Sequence, residues 1–144
     1  MPLKTYDPKD VSVIVGGFPM TGFADGEFIT VERSNNTFEK ATGADGETTR
    51  VKQNDKSGEM TLTLMQTSQS NNILTTFAIA DEEANAGIVP VLIKEGNSGT
   101  ILESAFAWIR KPAAVSYGKD VSTREWVFDM ADYGSIINGT AAAS

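Results

Sequence analysis

Glu125 and Asp129 are the carboxylate pair in this chain whose spacing most invites a catalytic interpretation. They fall on the same face of a predicted strand, four residues apart, which places their α-carbons roughly 13 Å from each other. Glycosidases work with two carboxyl groups about 5–10 Å apart. The pair therefore does not fit glycoside hydrolysis unless another strand supplies one of the two groups.

Two acidic turns, Asp25-Gly26-Glu27 and Asp45-Gly46-Glu47, raise the question of calcium. Neither has the alternating oxygen ligands of a twelve-residue calcium loop, and both are more typical of a turn before a strand. The glycine-containing stretches Gly16-Gly17 and Gly96-Asn97-Ser98-Gly99 are too short for phosphate loops and also predict turns. We expect no metal site and no cofactor.

Two residue types are missing altogether, since the 144 residues include no cysteine and no histidine. Disulfides, thiolate nucleophiles and sulfur-based zinc sites are thereby excluded. So are hydrolases that depend on a histidine base. Any catalysis would have to use carboxylates, lysine or tyrosine, and we predict that the protein is not an enzyme.

The formal charge is −7, from 19 acidic and 12 basic residues. Binding to nucleic acid usually needs a basic patch that replaces phosphate counterions, so a nucleic-acid-binding surface is not indicated. The acidity fits an ordinary soluble protein, and it equally fits a surface that DNA must pass without sticking. No apolar run is long enough to cross a bilayer, and the first residues lack the apolar core of a secretory signal, so we expect synthesis in a cytoplasm.

Alternation of apolar and polar residues predicts strands through most of the chain. The predicted strands are 11–15, 27–33, 58–66, 89–95, 100–110 and 124–133, with 89–95 and 100–110 joined as a hairpin through a four-residue loop. In the clearest of them, Met60, Leu62 and Leu64 share one face. Trp126, Phe128 and Met130 do the same near the end, and both Trp108 and Trp126 are predicted to lie in the core.

One helix is predicted over about residues 70–86. Ser68 or Ser70 could cap its start, an apolar stripe runs from Ile73 to Ala80, and Gly87 suits the position after its end. Asp81-Glu82-Glu83 lie near the helix C-terminus, where the helix dipole disfavours negative charge. They form either a solvated acidic end or a contact for a basic partner surface.

The segment of about residues 34–58 is long and polar, and we interpret it as an extended hairpin arm that contacts another subunit, with a mobile loop as the alternative. Its charges balance. The proposed contact residues are Glu39, Lys40, Asp45, Glu47, Arg50, Lys52, Asp55 and Lys56.

Several predicted strands carry polar residues opposite their apolar face, as expected for a sheet with one face on the core and one on water. The residues of this polar face are Thr30, Glu32, Glu59, Thr61, Thr63, Glu125 and Asp129. A sharper hypothesis is that this face lines a channel when copies join edge to edge, which would also remove exposed strand edges.

The segment Ser57-Gly58-Glu59-Met60-Thr61-Leu62-Thr63-Leu64-Met65-Gln66-Thr67-Ser68-Gln69-Ser70-Asn71-Asn72 resembles the tail tube proteins of contractile-tailed bacteriophages. There a Thr/Leu-alternating strand runs into a Ser/Asn-rich helix start. Asp10-Val11-Ser12-Val13, the stretch Gly22-Phe23-Ala24-Asp25-Gly26-Glu27 and the late strand Arg124-Glu125-Trp126-Val127-Phe128 are similar to the family as well. The resemblance covers essentially the whole chain.

The resemblance implies a mainly β fold, an antiparallel β-sandwich or half-barrel with one flanking helix and the long arm, and residues 1–144 as one tail-tube domain. It implies a structural virion protein, made in the host cytoplasm, that forms homohexameric rings stacked into the inner tail tube. By the same resemblance the tube would hold the tape-measure protein and transiently DNA, with the sheath protein outside and baseplate and terminator proteins at its ends. The seven polar-face residues would then face the lumen, and no membrane is involved.

Two other functions stay open at this point. A tube of the type VI secretion class would share the fold and the ring. A monomeric β-sandwich that binds carbohydrate would need tryptophan or tyrosine exposed on a concave face.

Overall fold

The fold is mainly β with one long helix, as predicted. The computed structural model describes residues 3–96, 98–138 and 142–143. A short 3-10 helix covers Pro8–Asp10, and α1 covers Ser70–Ala84. The strands are β1 (Leu3–Lys4), β2 (Val11–Val15), β3 (Phe18–Pro19), β4 (Ile29–Arg33), β5 (Phe38–Thr42), β6 (Thr48–Lys52), β7 (Gly58–Met65), β8 (Val89–Glu95), β9 (Thr100–Lys111), β10 (Thr123–Met130), β11 (Gly134–Ile136) and β12 (Ala142–Ala143).

The main sheet has eight antiparallel strands. Seven of them lie in the order β3-β2-β8-β9-β10-β7-β4, and β11 pairs with β9. The predicted hairpin of β8 and β9 is confirmed, although Asn97 of its loop lies outside the described residues. β5 pairs with β6 and β1 with β12 in separate two-stranded sheets. The pairs β10–β7 and β7–β4, which bring distant parts of the chain together, carry most of the predicted polar face.

The core lies on one face of this sheet, under α1. Met60, Leu62 and Leu64 of β7 are completely buried, and Phe128 of β10 lies among them. Leu74 is the fully buried residue of the helix. Because side chains of a strand alternate between the two faces, burying these residues leaves the intervening polar side chains on the opposite face.

A β-bulge in β9 changes which of its residues face the core. Val89 pairs with Ala107 and Val91 with Ser104, so β9 has two residues where β8 has one. An extra residue of this kind reverses the alternation that follows it. Trp108 consequently lies opposite Asp129 on the polar face, half-buried and outside the core cluster, so the prediction that Trp108 belongs to the core was wrong. Trp126 is buried as predicted, and its Nε1–H donates to Oδ1 of Asn71 at 3.0 Å.

The ends of α1 differ from those predicted. Gln69 is the N-cap and makes no side-chain cap bond, although Oγ of Ser68 accepts from the Ser70 N–H at 3.2 Å. Asn85, at φ 52°, takes the left-handed conformation at the other end that was assigned to Gly87. Gly87 instead permits close packing, since a Cβ there would lie 2.4 Å from Cβ of Asp81. The helix thus begins and ends close to the predicted positions by different local contacts.

Two segments that carry the family resemblance meet at the start of α1. The Thr21 N–H donates to Oγ of Ser70 at 2.9 Å, and Oγ of Ser68 donates to the Thr21 carbonyl at 2.5 Å. Gly22, at φ 72°, lies so close that a Cβ would fall 2.6 Å from Cβ of Ser68. A glycine is needed here because the backbone conformation and the contact both exclude a side chain.

The 34–58 segment is a β-hairpin, as predicted, made of β5 and β6 with every strand residue exposed. At its tip, the Glu47 N–H donates to Oδ1 of Asp45 at 3.1 Å and Gly46 has φ 88°. The pairing continues one step below the strands, where the Gln53 N–H donates to the Thr37 carbonyl at 2.9 Å. The hairpin is therefore regular in itself and presents both of its faces to solvent.

Candidate functional site

The seven predicted polar-face residues come together on the face of the sheet opposite the core. Strand pairing places Thr30 beside Thr61, Glu32 beside Glu59, Glu59 beside Asp129 and Thr63 beside Glu125. Residues directly opposite one another in an antiparallel pair project from the same face. The full set is Thr30, Glu32, Glu59, Thr61, Thr63, Glu125 and Asp129, each exposed or half-buried.

A row of three carboxylates crosses this face from β4 through β7 to β10. It consists of Glu32, Glu59 and Asp129, and Arg110 of β9 enters it from the side. Nη1 of Arg110 lies 2.7 Å from Oε1 of Glu59 and 3.2 Å from Oδ1 of Asp129. The hydrogen bond to Glu59, followed by the charge of Asp129, raises the pKa of Arg110 above its usual value. Like charges directly opposite in a sheet repel, so Arg110 stabilises the row.

Arg110 could not be identified from the sequence pattern, because the bulge in β9 changes the side of the sheet from which the following side chains project. Counted with strict alternation from Leu102 or Ser104, Arg110 would point into the core. The signal that could have located it is the local alternation of Trp108 and Arg110 with Ala107 and Ile109. Counting back from the strand end fails, because a second register shift beside Arg110 places Lys111 opposite Val127 on the polar face.

Threonines occupy the part of the polar face next to the carboxylate row. Oγ1 of Thr30 donates to Oε1 of Glu27, and Thr61 lies between Thr30 and Val127 in the pairing. These side chains give the surface hydrogen-bonding groups without positive charge. In the described part of the chain, Arg110 and its two carboxylates are the only salt-bridged residues.

Among the strands that the structure describes, β4 forms an unpaired edge of the main sheet, and the hydrogen bonds show which of its residues face outward. The Thr63 N–H donates to the Phe28 carbonyl at 2.8 Å, and the Ser34 N–H donates to the Ser57 carbonyl at 3.1 Å. Because hydrogen-bonded positions alternate in antiparallel pairs, Thr30 and Glu32 also bond to β7. The backbone N–H and C=O groups of Ile29, Val31 and Arg33 then point to the open edge. The opposite edge, β3, has two residues, one of them Pro19.

The base of the hairpin arm is fixed to the body of the protein. Nη2 of Arg33 donates to the Tyr133 carbonyl at 2.8 Å, and the Tyr133 N–H donates to the Lys56 carbonyl at 2.8 Å. Asp55 accepts from Nδ2 of Asn35 at 2.6 Å and from the Ser57 N–H at 3.0 Å. The Ser57 hydrogen bonds lower the pKa of Asp55. Hydrogen bonds therefore hold the base of the arm in place, although the strands of the arm are exposed.

The charges of the eight predicted arm residues balance in total, but the acidic and basic residues lie on different parts of the hairpin. Pairing of Phe38 with Lys52 and of Lys40 with Arg50 puts three cations on one face. Glu39 is on the other face, opposite Val51, and bonds to Nδ2 of Asn36 at 3.1 Å. Asp45 and Glu47 lie at the tip, and Asp55 and Lys56 at the base. The sequence alone shows that these charges balance, and the strand register shows where each of them lies.

Within the described ranges no group of three acidic, histidine or cysteine residues could hold a metal ion. No helix among the same residues is both long and apolar enough to cross a membrane.

Solved structures share this fold. The sheath/tube terminator of the extracellular contractile injection system PVC superimposes with a TM-score of 0.65 at 10% identity, covering 92% of this chain and 97% of that one. A chain of the PVC sheath–tube complex gives a TM-score of 0.60 at 10% identity, covering 92% and 91%. At this identity the likeness establishes the architecture.

Sequence comparison establishes the family. "Structural protein ORF10" of Pseudomonas phage KPP10 is 31% identical over 137 residues, which span 90% of this chain and 79% of that protein. The family model "Bacteriophage PhiTE tail tube protein" matches residues 6–138. The chain therefore belongs to the PhiTE tail tube family of bacteriophage structural proteins, and it is a component of the phage tail.

Proposed function

We propose that six copies of this chain form a ring in which the sheets join edge to edge, and that the polar face of each sheet lines the lumen. The observation that carries this proposal is the combination of a mainly polar face, which spans β4, β7 and β10, with an unpaired edge on the same described sheet. A sheet edge with free N–H and C=O groups is an aggregation hazard in a monomer, and closure into a ring removes it. Stacked rings would then form the tail tube.

The lumen formed in this way would be acidic and hydrated. Glu32 and Glu125 have no basic partner among the described residues, whereas Glu59 and Asp129 share Arg110. Unpaired carboxylates repel phosphate, and the threonines hydrate the wall without attracting it. Such a wall suits a conduit that holds the tape-measure protein and later lets DNA pass.

The remaining surfaces follow from this placement. The helix side of the sheet would face outward, toward the sheath, and ring surfaces at the two ends of the tube would meet the baseplate and the terminator. The hairpin arm would contact a neighbouring subunit, because in the described part of the chain its exposed strands pair only with each other. The role is mechanical and needs no catalytic group.

Proline substitution of β4 tests the ring. Val31→Pro removes an N–H that points to the open edge and leaves the hydrogen bonds with β7 in place, and proline is tolerated on edge strands. We expect a folded subunit that forms neither rings nor tubes by negative-stain electron microscopy. Glu32→Pro is the matched control, since it removes an N–H that bonds to β7 and should lower the unfolding temperature instead. Normal tubes from a folded Val31→Pro variant would exclude pairing along this edge.

A further inference from the structure

We propose that the basic face of the hairpin arm binds the acidic C-terminal end of α1 in a second copy of this chain. The basic face is defined by Phe38, Lys40, Arg50 and Lys52, and the acidic helix end by Asp81, Glu82 and Glu83. This inference rests on the proposed function, because it names the surface that the arm contacts when subunits assemble.

The basic face is exposed and unpaired. Lys40, Arg50 and Lys52 project from the same side of β5 and β6, and in the described part of the chain none of them has a carboxylate within salt-bridge distance. The acids of the arm are at its tip, at its base or on its other face. The hairpin therefore has one positively charged face, which is complementary to a partner surface of negative charge.

Part of this face is already ordered for binding. The guanidinium carbon of Arg50 lies 4.1 Å from the centroid of the Phe38 ring, within cation–π distance. Phe38 is still 41% exposed. The stacked pair limits the freedom of two side chains before any partner arrives, which lowers the entropy cost of binding. The face thus offers an apolar side chain next to fixed positive charge.

The acidic helix end carries charge that no salt bridge among residues 3–96, 98–138 and 142–143 compensates. Glu82 and Glu83 are exposed, and the last turn of α1 contains no basic residue. The helix dipole places partial negative charge at the same end, so the three carboxylates are unfavourable there on their own. Cations supplied by another copy would relieve both the mutual repulsion and the interaction with the dipole.

A groove that runs along α1 from Asn71 to Glu82 provides a second, independent feature that matches the arm. It has a volume of about 430 Å³ and is lined by Ile79, Glu82, Val115 and Tyr117, among others. Tyr117 is 82% exposed and Val115 62% exposed, which is high for such side chains. The groove also contains Arg124, which lies within cation–π distance of Tyr117. An apolar groove with Glu82 on its rim complements Phe38 flanked by cations.

The arm can reach a second copy. From Asn36 to Asp45 the hairpin extends by roughly 30 Å at the rise of a β-strand. Its strands are exposed at every position, so it stands free of its own subunit's surface. Among the other carboxylates, Glu59 and Asp129 are less suited as acceptors, because they are already paired with Arg110.

Charge exchange between the two surfaces tests this contact. The first variant carries K40E, R50E and K52E, the second D81K, E82K and E83K, and the third all six substitutions. We expect each triple variant to raise the protein concentration needed for tube formation at least about tenfold, and the sixfold variant to come within about threefold of the parent. Circular dichroism of unassembled protein checks that each variant folds. Tubes are measured by sedimentation and negative-stain microscopy.

A matched control separates this contact from a change of net charge. Combining the arm substitutions with E103K, D120K and D132K, at three exposed positions elsewhere, produces the same charge and should not restore assembly. Normal tubes from the folded arm variant, or rescue by the control combination, would overturn the proposal. So would a failure of the sixfold variant, which would mean that the arm binds a different surface.

If the arm has no role in tube assembly, a different experimental result is expected. Replacing residues 37–53 by a short Gly/Ser linker keeps the Asn35–Asp55 base and removes the arm. Tubes formed normally by that variant would show that assembly does not depend on the arm at all. Loss of tubes with the linker but no rescue by charge exchange would leave the assembly role standing and reject only the acidic helix end as the partner.

Discussion

Arg110 of β9 reaches across β10 to bind Glu59 of β7, with 2.7 Å between Nη1 and Oε1. The same nitrogen lies 3.2 Å from Asp129 of the intervening strand, so one guanidinium connects three neighbouring strands on the polar face. Both contacts are partly exposed, since the side chains of Arg110 and Glu59 retain 45% and 39% of their accessible surface. Their effect should accordingly depend on ionic strength.

Arg110→Gln is expected to lower the thermal midpoint of the unassembled subunit at low salt. The substitution leaves Glu32, Glu59 and Asp129 as an uncompensated acidic row, and added NaCl should recover much of the loss by screening their repulsion. Lys111→Gln removes the same charge from an exposed neighbour that has no ion pair among the described residues, and should have little effect. Equal midpoints for the two variants at low salt would show that Arg110 does not stabilise the row.

Gly22→Ala should destabilise the subunit by about 2–4 kcal/mol, because it combines a left-handed backbone with a collision against Ser68. Gly26→Ala is the control. It also has a positive φ, of 90°, but no atom lies within 4 Å of the added Cβ, so a cost of about 1–2 kcal/mol is expected. Urea unfolding of both variants gives the comparison. Equal costs would mean that the contact between the 21–22 segment and the helix start contributes little.

The base of the arm should respond to acid through Asp55. The Ser57 hydrogen bonds lower the pKa of this carboxyl below its ordinary value of 3.8. The carboxylate therefore stabilises the base of the arm above pH 3.8, and that contribution is lost as the pH falls through the lowered pKa. An NMR titration should give the Ser57 amide a midpoint below 3.8, which Asp55→Asn abolishes. Asn35→Ala should move the midpoint only slightly, because the Ser57 hydrogen bonds are the main cause of the lowered pKa. A midpoint at or above 3.8 would contradict the assignment.

Single cysteines can report which side of the sheet faces the lumen, because the chain has none of its own. We expect Glu125→Cys to react with a polymer-linked maleimide in the unassembled subunit and to be protected in tubes, whose interior the polymer cannot enter. Thr76→Cys, on the exposed side of α1, should react in both states. Rapid modification of Glu125→Cys in intact tubes would place this face on the outer wall.

Strand alternation predicted the polar face well where the alternation is unbroken. In β7 and β10 apolar and polar residues alternate with few exceptions, among them Val127 on the polar side, and local chemistry fixes which side is buried. The same reasoning failed for Trp108 and Arg110, because a bulge depends on pairing between strands. The charge separation of the arm was hidden for a similar reason. Lys40 and Arg50 are ten residues apart, and only the register of the hairpin puts them on one face.

Other features depend on contacts that sequence patterns do not encode. That β4 is an edge strand follows from the order of the sheet, in which β7 pairs with β4 and with β10 at long sequence distance. Asn85 rather than Gly87 takes the left-handed position because Gly87 must pack against Asp81 and Phe77. In both cases tertiary packing decided between alternatives that were locally acceptable.

The bulge between Ser104 and Ala107 also has a genetic consequence. Deleting either Ala105 or Phe106 would leave a single residue between Ser104 and Ala107, so that both would still face the core in regular alternation, and Ile109 and Arg110 would keep their present sides. Nearby substitutions such as Phe106→Leu, at a 59% exposed position, alter only one side chain. This stretch of the gene should therefore tolerate the loss of a single codon better than β7 or β10, where strict pairing means that one deletion moves every following side chain to the opposite face.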